Sequence, residues 1–183
     1  MITIPNLITF ARLLLVPVFI WLQAPGRAQA ALICFGAAMF SDAIDGLLAR
    51  LLNQKSKLGA FLDPLADKLL VSSALVLLVI DRQVPIWLLG LILFRDGAIA
   101  VGALMVKRKH LELPAQPSRI GKYATFSMTL LVVLALAGQT SWAPQELHAY
   151  TLVVGFLAGL CVAISTGQYF SRFGYLWFAP SRA

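Results

Sequence analysis

Six apolar stretches, separated by short polar turns, run through the 183-residue sequence and constrain its fold more than any other feature. A helix needs about 20 mostly apolar residues to cross the hydrocarbon core of a bilayer, and these stretches meet or approach that length. Hydrophobic residues make up 60% of the chain, well above the share in a soluble domain. We therefore predict an all-α, polytopic membrane protein that forms a single domain over residues 1–183. The six predicted transmembrane helices are Asn6–Gln23, Ala28–Leu52, Leu58–Ile80, Val84–Val106, Ile120–Ala137 and Leu147–Phe170.

The basic residues are distributed unevenly between the predicted turns. With the N-terminus in the cytoplasm, ten lysines and arginines fall on inside segments, and only Arg27 and Arg82 fall on outside loops. Such a bias sets the orientation of membrane proteins, and here it places both termini in the cytoplasm. The net charge of +7 then comes from lysines and arginines that meet anionic headgroups. We therefore predict membrane lipids as partners and no nucleic acid.

Four of the eight carboxylates lie in one segment that apolar helices flank on both sides. Asp42 and Asp45 lie near the cytoplasmic end of the second predicted helix, and Asp63 and Asp67 near the cytoplasmic start of the third. Their spacings place each pair on one helical face, so the hairpin should bring all four together. A charged aspartate at the centre of a membrane helix costs on the order of 3 kcal/mol, and neighbouring like charges add to that cost. Something positive must therefore bind there.

The donor set indicates which cation this would be. Oxygen ligands without histidine or cysteine favour a hard cation such as Mg²⁺, Mn²⁺ or Ca²⁺ over zinc. Four carboxylates suffice for two ions, and paired ions can clamp a phosphoryl or pyrophosphate group during displacement.

Two other interpretations of the acids stay open. Arginines and lysines of neighbouring helices could pair with them, although Arg50, Lys68 and Arg95 are too few to match four acids. A membrane cation transporter could also carry intramembrane aspartates. It would place them near the midplane, often with repeat symmetry, and no repeat is visible in this sequence.

The spacing of the acids matches a known signature. From Asp42 to Asp67 the chain reads D-x-x-D-G-x-x-A-R, eight residues, then G-x-x-x-D-x-x-x-D. Together with the opening IPNLITFARLLLVP and six helices in order, this resembles the CDP-alcohol phosphatidyltransferase family, and every position of the signature is filled. The resemblance implies a homodimeric enzyme in a bacterial inner membrane, with its active site facing the cytoplasm.

The resemblance also implies a role for each matching residue. Asp42, Asp45, Asp63 and Asp67 would bind two divalent cations, Mg²⁺ or Mn²⁺, that hold the diphosphate of CDP-diacylglycerol. Asp67 would also be the general base that activates the acceptor hydroxyl, and CMP would leave. For Gly46 taken alone, close helix packing would explain the glycine equally well. The implied nucleotide-binding residues are Asn6, Arg12, Gly46, Ala49, Arg50 and Gly59.

Further basic residues point to a second subsite. Arg95 on the fourth predicted helix, and Arg119 and Lys122 at the start of the fifth, fall on the cytoplasmic side. Because an intramembrane arginine is a candidate functional residue, we predict that these three bind a phosphate on the acceptor. The alternatives are an ion pair between Arg95 and Asp96, and a Lys122 side chain that reaches the lipid headgroups.

Two acceptors are compatible with the sequence. The segment NQKSKLGAFLDPLADK is similar to phosphatidylglycerophosphate synthases, whose acceptor is glycerol 3-phosphate. The segments PSRIGKYAT and STGQYFSRFG are more similar to CMP-forming cardiolipin synthases, whose acceptor is phosphatidylglycerol. Both acceptors carry a phosphate, so the basic subsite does not choose between them.

Overall fold

The computed structural model describes the backbone of residues 4–51, 57–108 and 119–173. Several side chains near helix ends, including those of residues 45–51 and 57–61, lie outside that description. Within it the chain forms six α-helices and no strand, which confirms the all-α prediction. The helices are α1 Ile4–Leu22, α2 Ala28–Leu51, α3 Lys57–Ile80, α4 Ile86–Arg108, α5 Arg119–Gly138 and α6 Glu146–Phe173.

Each helix begins and ends within three residues of the predicted position. Residues in two turns, before α2 and before α4, explain where these helices are interrupted. Gly26, between α1 and α2, has a φ of 82°, a left-handed conformation that glycine adopts at little cost. Helix α4 begins just after Pro85 instead of at the predicted Val84. The residue before a proline is biased away from the helical conformation, so Val84 stays outside the helix.

Two helical spans in the described part of the chain are long and apolar enough to cross a membrane, Ile120–Gly138 in α5 and Glu146–Ser171 in α6. Only 28% of the apolar window in α6 is buried, whereas the core helix of a soluble protein would be mostly covered. Shorter apolar segments, Ile8–Leu22 and Ala28–Asp42, lie in α1 and α2. By length and composition these two spans can cross a membrane, while the number of six spans and the orientation of the termini stay predictions.

The chain divides into two compact units, and the first comprises Met1–Gln83 and Val132–Ala149. In this unit α1 packs against both α2 and α3, whereas α2 and α3 touch each other sparsely in the described ranges. The rings of Phe19 on α1 and Phe35 on α2 are fully buried, with their centroids 5.7 Å apart. Helix α1 is therefore the element that α2 and α3 share. The prediction of a single domain stays a prediction.

The second unit comprises Val84–Leu131 and Tyr150–Ala183. Gly159 of α6 lets that helix approach α4 closely, because a Cβ on Gly159 would lie 2.8 Å from the Trp87 ring. A Cβ on Gly155 would lie 3.4 Å from Leu131 of α5, which is an ordinary packing distance. Small residues allow close approach in membrane helices generally. Gly159 is thus used for packing within the second unit.

Candidate active site

Two buried polar side chains of α1 contact carboxylates of the predicted metal site. Arg12, with 1% of its side chain exposed, donates from Nη1 to Oδ1 of Asp42 on α2 at 2.6 Å. Thr9, which is fully buried, donates from Oγ1 to Oδ1 of Asp63 on α3 at 2.5 Å. The two donors are three residues apart and so lie on one face of α1. A single turn of α1 therefore contacts one acid from each pair.

The ion pair with Asp42 compensates the charge of the buried Arg12 guanidinium, which has little access to water. The sequence analysis left open that basic side chains of neighbouring helices pair with the acids. The contact with Arg12 shows such a pair at Asp42. The Asp42 side chain is still 41% exposed, so a cation can reach it. The role of Arg12 in nucleotide binding stays a prediction.

The remaining acids of the motif are described only in part. Asp67 lies one helical turn after Asp63 on α3, and both side chains are half-buried. Within the described side chains, no three of His, Cys, Asp and Glu form a cluster that could hold a metal ion. The expected set of four includes Asp45, whose side chain lies outside the described residues, so the complete metal site stays a prediction. For five further predicted site residues only the backbone is described, on α1, α2 and α3: Asn6, Gly46, Ala49, Arg50 and Gly59.

The chemistry of the described acids fits a divalent cation. Asp42, Asp63 and Asp67 offer carboxylate oxygens, the ligands that Mg²⁺ and Mn²⁺ prefer. The contacts from α1 go to one oxygen, Oδ1, of Asp42 and of Asp63, and a carboxylate has a second oxygen for a cation. All three side chains are partly exposed, so an ion has access to them.

Arg95 of α4 is buried in the second unit. Its Nη2 donates to the carbonyl oxygen of Gly121 on α5 at 3.3 Å, and its Nε is buried without a hydrogen-bond partner among the described residues. The described residues show no ion pair between Arg95 and Asp96. Buried polar groups in proteins are normally satisfied, so the unused donor of a buried guanidinium is suited to a bound anion.

The other two residues of the predicted phosphate subsite lie on the same turn of α5 that Arg95 contacts. Lys122 follows Gly121 directly and has an exposed side chain, which suits either a bound phosphate or a lipid headgroup. Arg119 begins α5, and its side chain lies outside the described residues. The backbone arrangement therefore brings Arg95 to the first turn of α5, where both predicted partners are located.

Thr9 is the site residue that sequence reasoning missed. A signal for it was present, since Asn6, Thr9 and Arg12 recur at intervals of three along an otherwise apolar helix. A threonine in a helix often bonds to its own backbone, so it attracts less attention than an arginine in the same place.

Among known protein families, the one described as CDP-alcohol phosphatidyltransferase matches residues 2–163, which is most of the chain. The chain belongs to the CDP-alcohol phosphatidyltransferase family. The resemblance of the acidic motif is thereby confirmed, as is the prediction of an enzyme of phospholipid synthesis. The finding favours this enzyme over the cation transporter that the acids alone left open.

Individual relatives carry two kinds of name. The chain is 38% identical over 147 residues to the CMP-forming cardiolipin synthase of Streptomyces coelicolor, covering 76% of this chain and 68% of the relative. It is 34% identical over 189 residues to the CDP-diacylglycerol–glycerol-3-phosphate 3-phosphatidyltransferase of Bacillus subtilis, covering 94% and 95%. It is also 36% identical over 176 residues to a probable phosphatidylglycerophosphate synthase of Mycobacterium tuberculosis, covering 91% and 79%. These matches establish the family of this chain, but they do not identify its acceptor alcohol.

Proposed function

We propose that the protein transfers the phosphatidyl group of CDP-diacylglycerol to the hydroxyl of a phosphate-bearing alcohol and releases CMP. The acceptor is glycerol 3-phosphate or phosphatidylglycerol, the two that the sequence similarity supports. The observation that carries the proposal is the complete acidic motif in a chain of this family, with Asp42 and Asp63 each contacted by a buried side chain of α1.

The chemistry follows from the proposed roles of the acids. Enzymes of this family depend on a divalent metal in general, and two Mg²⁺ or Mn²⁺ ions at Asp42, Asp45, Asp63 and Asp67 would neutralise the diphosphate and stabilise CMP as the leaving group. Asp67 accepts the proton of the acceptor hydroxyl, whose oxygen attacks the lipid-side phosphorus. The bond from that phosphorus to the oxygen of CMP breaks, and a phosphodiester forms. This direct displacement needs no serine or cysteine nucleophile.

The substrates are assigned to two sets of residues. Asn6, Arg12, Gly46, Ala49, Arg50 and Gly59 bind the nucleotide, as the family signature implies. Arg95, Arg119 and Lys122 bind the acceptor phosphate. The buried Nε donor of Arg95, and its contact with α5 beside Lys122, support the second assignment.

The direct test of this function is CMP release from CDP-diacylglycerol by the purified protein, with and without Mg²⁺ or Mn²⁺, followed by mass spectrometry of the lipid product. Glycerol 3-phosphate should give phosphatidylglycerophosphate, and phosphatidylglycerol should give cardiolipin. One of the two acceptors should support turnover well above the other. No metal-dependent CMP release with either acceptor would overturn the proposal.

The subsite assignment makes Arg95→Ala an informative variant. The apparent KM for the acceptor should rise about 10- to 100-fold, because a hydrogen bond to a charged group contributes about 1.5–3 kcal/mol. The KM for CDP-diacylglycerol should stay close to the wild-type value. Arg27→Ala is the matched control, since it removes an exposed guanidinium that lies over Trp21, in a turn that contains none of the assigned residues. A rise in KM for CDP-diacylglycerol alone would place Arg95 on the nucleotide side.

We also propose six transmembrane helices, cytoplasmic termini and an active site that faces the cytoplasm of a bacterial inner membrane. The uneven placement of basic residues supports this orientation, ten inside against two outside. A homodimer is proposed on the family resemblance alone.

Cysteine labelling tests the orientation. In a variant without Cys34 and Cys161, we expect Lys55→Cys and Lys109→Cys to react with an impermeant maleimide only after the membrane is permeabilised. Ser141→Cys, in the exposed turn between α5 and α6, should react in intact cells. Labelling of Lys55→Cys in intact cells would reverse the proposed orientation.

A further inference from the structure

We infer that Thr9 is a positioning residue of the metal site, whose hydroxyl fixes the carboxylate of Asp63 so that its second oxygen is presented to a divalent cation. The inference rests on the proposed function, because that proposal assigns Asp63 to a metal ion. Nothing in the acidic motif includes Thr9, which lies 54 residues before Asp63 in the sequence.

The geometry of the contact supports a positioning role. The Thr9 hydroxyl is fully buried, and its oxygen lies 2.5 Å from Oδ1 of Asp63. Separations of about 2.5–2.7 Å are typical of hydroxyl donors to ionised carboxylates, and such bonds are stronger than those between neutral groups. A bond of this kind restricts rotation of the carboxylate. The hydrogen bond is made to Oδ1. Because both oxygens belong to one rigid carboxylate, the bond also sets the orientation of Oδ2.

The packing of the first unit explains why this bond comes from α1. In the described ranges α2 and α3 contact each other sparsely, while both pack against α1. Thr9 contacts Asp63 on α3, and Arg12, one turn later, contacts Asp42 on α2. The relative position of these two acids is therefore set through α1. Mg²⁺ demands near-octahedral ligands at about 2.0–2.1 Å, so a small shift between the acids weakens its binding.

A comparison with Thr166 separates this role from ordinary helix packing. Thr166 is also buried, and its hydroxyl donates to the Val162 carbonyl oxygen of its own helix at 2.8 Å. That bond is the usual one for a threonine inside a helix. The hydroxyl of Thr9 donates to the carboxylate of Asp63 on another helix. Valine has nearly the shape of threonine, so it removes the hydroxyl and preserves the packing at either position.

The test measures Mn²⁺ binding in the full-length protein, reconstituted in nanodiscs without lipid substrate, from the electron paramagnetic resonance signal of free Mn²⁺. Thr9→Val should raise the Kd for Mn²⁺ about 10- to 100-fold, the loss that outer-shell partners of metal ligands typically cause. Thr9→Ser, which keeps the hydroxyl, should bind close to the wild-type level. Thr166→Val, the matched control, should do the same. In assays of CMP release, a high Mn²⁺ concentration should restore part of the Thr9→Val activity.

Each other outcome has a distinct meaning. Wild-type Mn²⁺ affinity in Thr9→Val would overturn the inference and leave the proposed function standing. Equal losses in Thr9→Val and Thr166→Val would reveal loosened packing in general and would also overturn it. If the wild-type protein binds no Mn²⁺, the metal site fails and the inference fails with it. Should Thr9→Val not fold, Thr9→Ala and Thr9→Ser carry the same test, since both lose the methyl group and only serine keeps the hydroxyl.

Discussion

The variant Asp63→Asn should release CMP at about one-thousandth of the wild-type rate or less, because a metal-binding charge supplies several kcal/mol of transition-state stabilisation and each 1.4 kcal/mol is tenfold in rate. Asparagine keeps the size of the side chain and has a carbonyl oxygen that can accept a hydrogen bond from the Thr9 hydroxyl. It lacks the negative charge that binds a divalent ion. Asp42→Asn and Asp45→Asn should show losses of the same order. The rate of CMP release at saturating CDP-diacylglycerol and Mg²⁺ measures the effect.

Asp81→Asn is the matched control for this loss. Asp81 directly follows α3, is exposed, and accepts a hydrogen bond from Nε2 of Gln139 at 3.2 Å, far along the helix from Asp63. This variant should keep the wild-type rate. Size-exclusion profiles and thermal unfolding in detergent should show that Asp63→Asn is still folded. Normal turnover in a folded Asp63→Asn variant would exclude Asp63 from the metal site.

The proposed divalent ions would supply positive charge to the acidic motif in addition to that of Arg12. The motif contributes four carboxylates, and among the described side chains Asp42 pairs with the buried guanidinium of Arg12. One arginine balances the charge of one carboxylate. Divalent ions supply positive charge without the bulk of further side chains. The diphosphate of a CDP-lipid adds negative charge of its own, which makes two ions a better match than one.

The helices could be predicted from the sequence because their length and apolar content are local properties. The acids, Arg12 and Arg95 could be found for the same reason, since a charge inside an apolar helix is visible in the sequence. The partner of each charge could not be predicted. Whether Arg12 contacts a carboxylate or a ligand depends on the rotation of α1 against α2, and a helix that is apolar nearly all round does not reveal that rotation.

Backbone partners are even less visible in a sequence. The Arg95 guanidinium donates to the Gly121 carbonyl, and every residue has a carbonyl, so no residue type indicates that contact. The contact of Thr9 with Asp63 is hidden for a different reason, since it joins two helices that are separated in the chain by α2. Residue identities thus indicate a candidate site, while the three-dimensional packing of α1 was needed to find the side chains that contact its acids.

The variant Asp67→Asn should separate chemistry from binding. If Asp67 is the general base, its loss should reduce the rate of CMP release about 10²- to 10⁴-fold, the usual contribution of a positioned base. The affinity for CDP-diacylglycerol should fall much less, because Asp42, Asp45 and Asp63 keep their charges. Competition by CMP in a binding assay measures that affinity separately from the rate. In the same assays Asp63→Asn should lose both affinity for CDP-diacylglycerol and turnover. If Asp67→Asn instead loses affinity and rate in parallel, as Asp63→Asn does, then Asp67 serves only as a metal ligand, and another group must accept the proton of the acceptor hydroxyl.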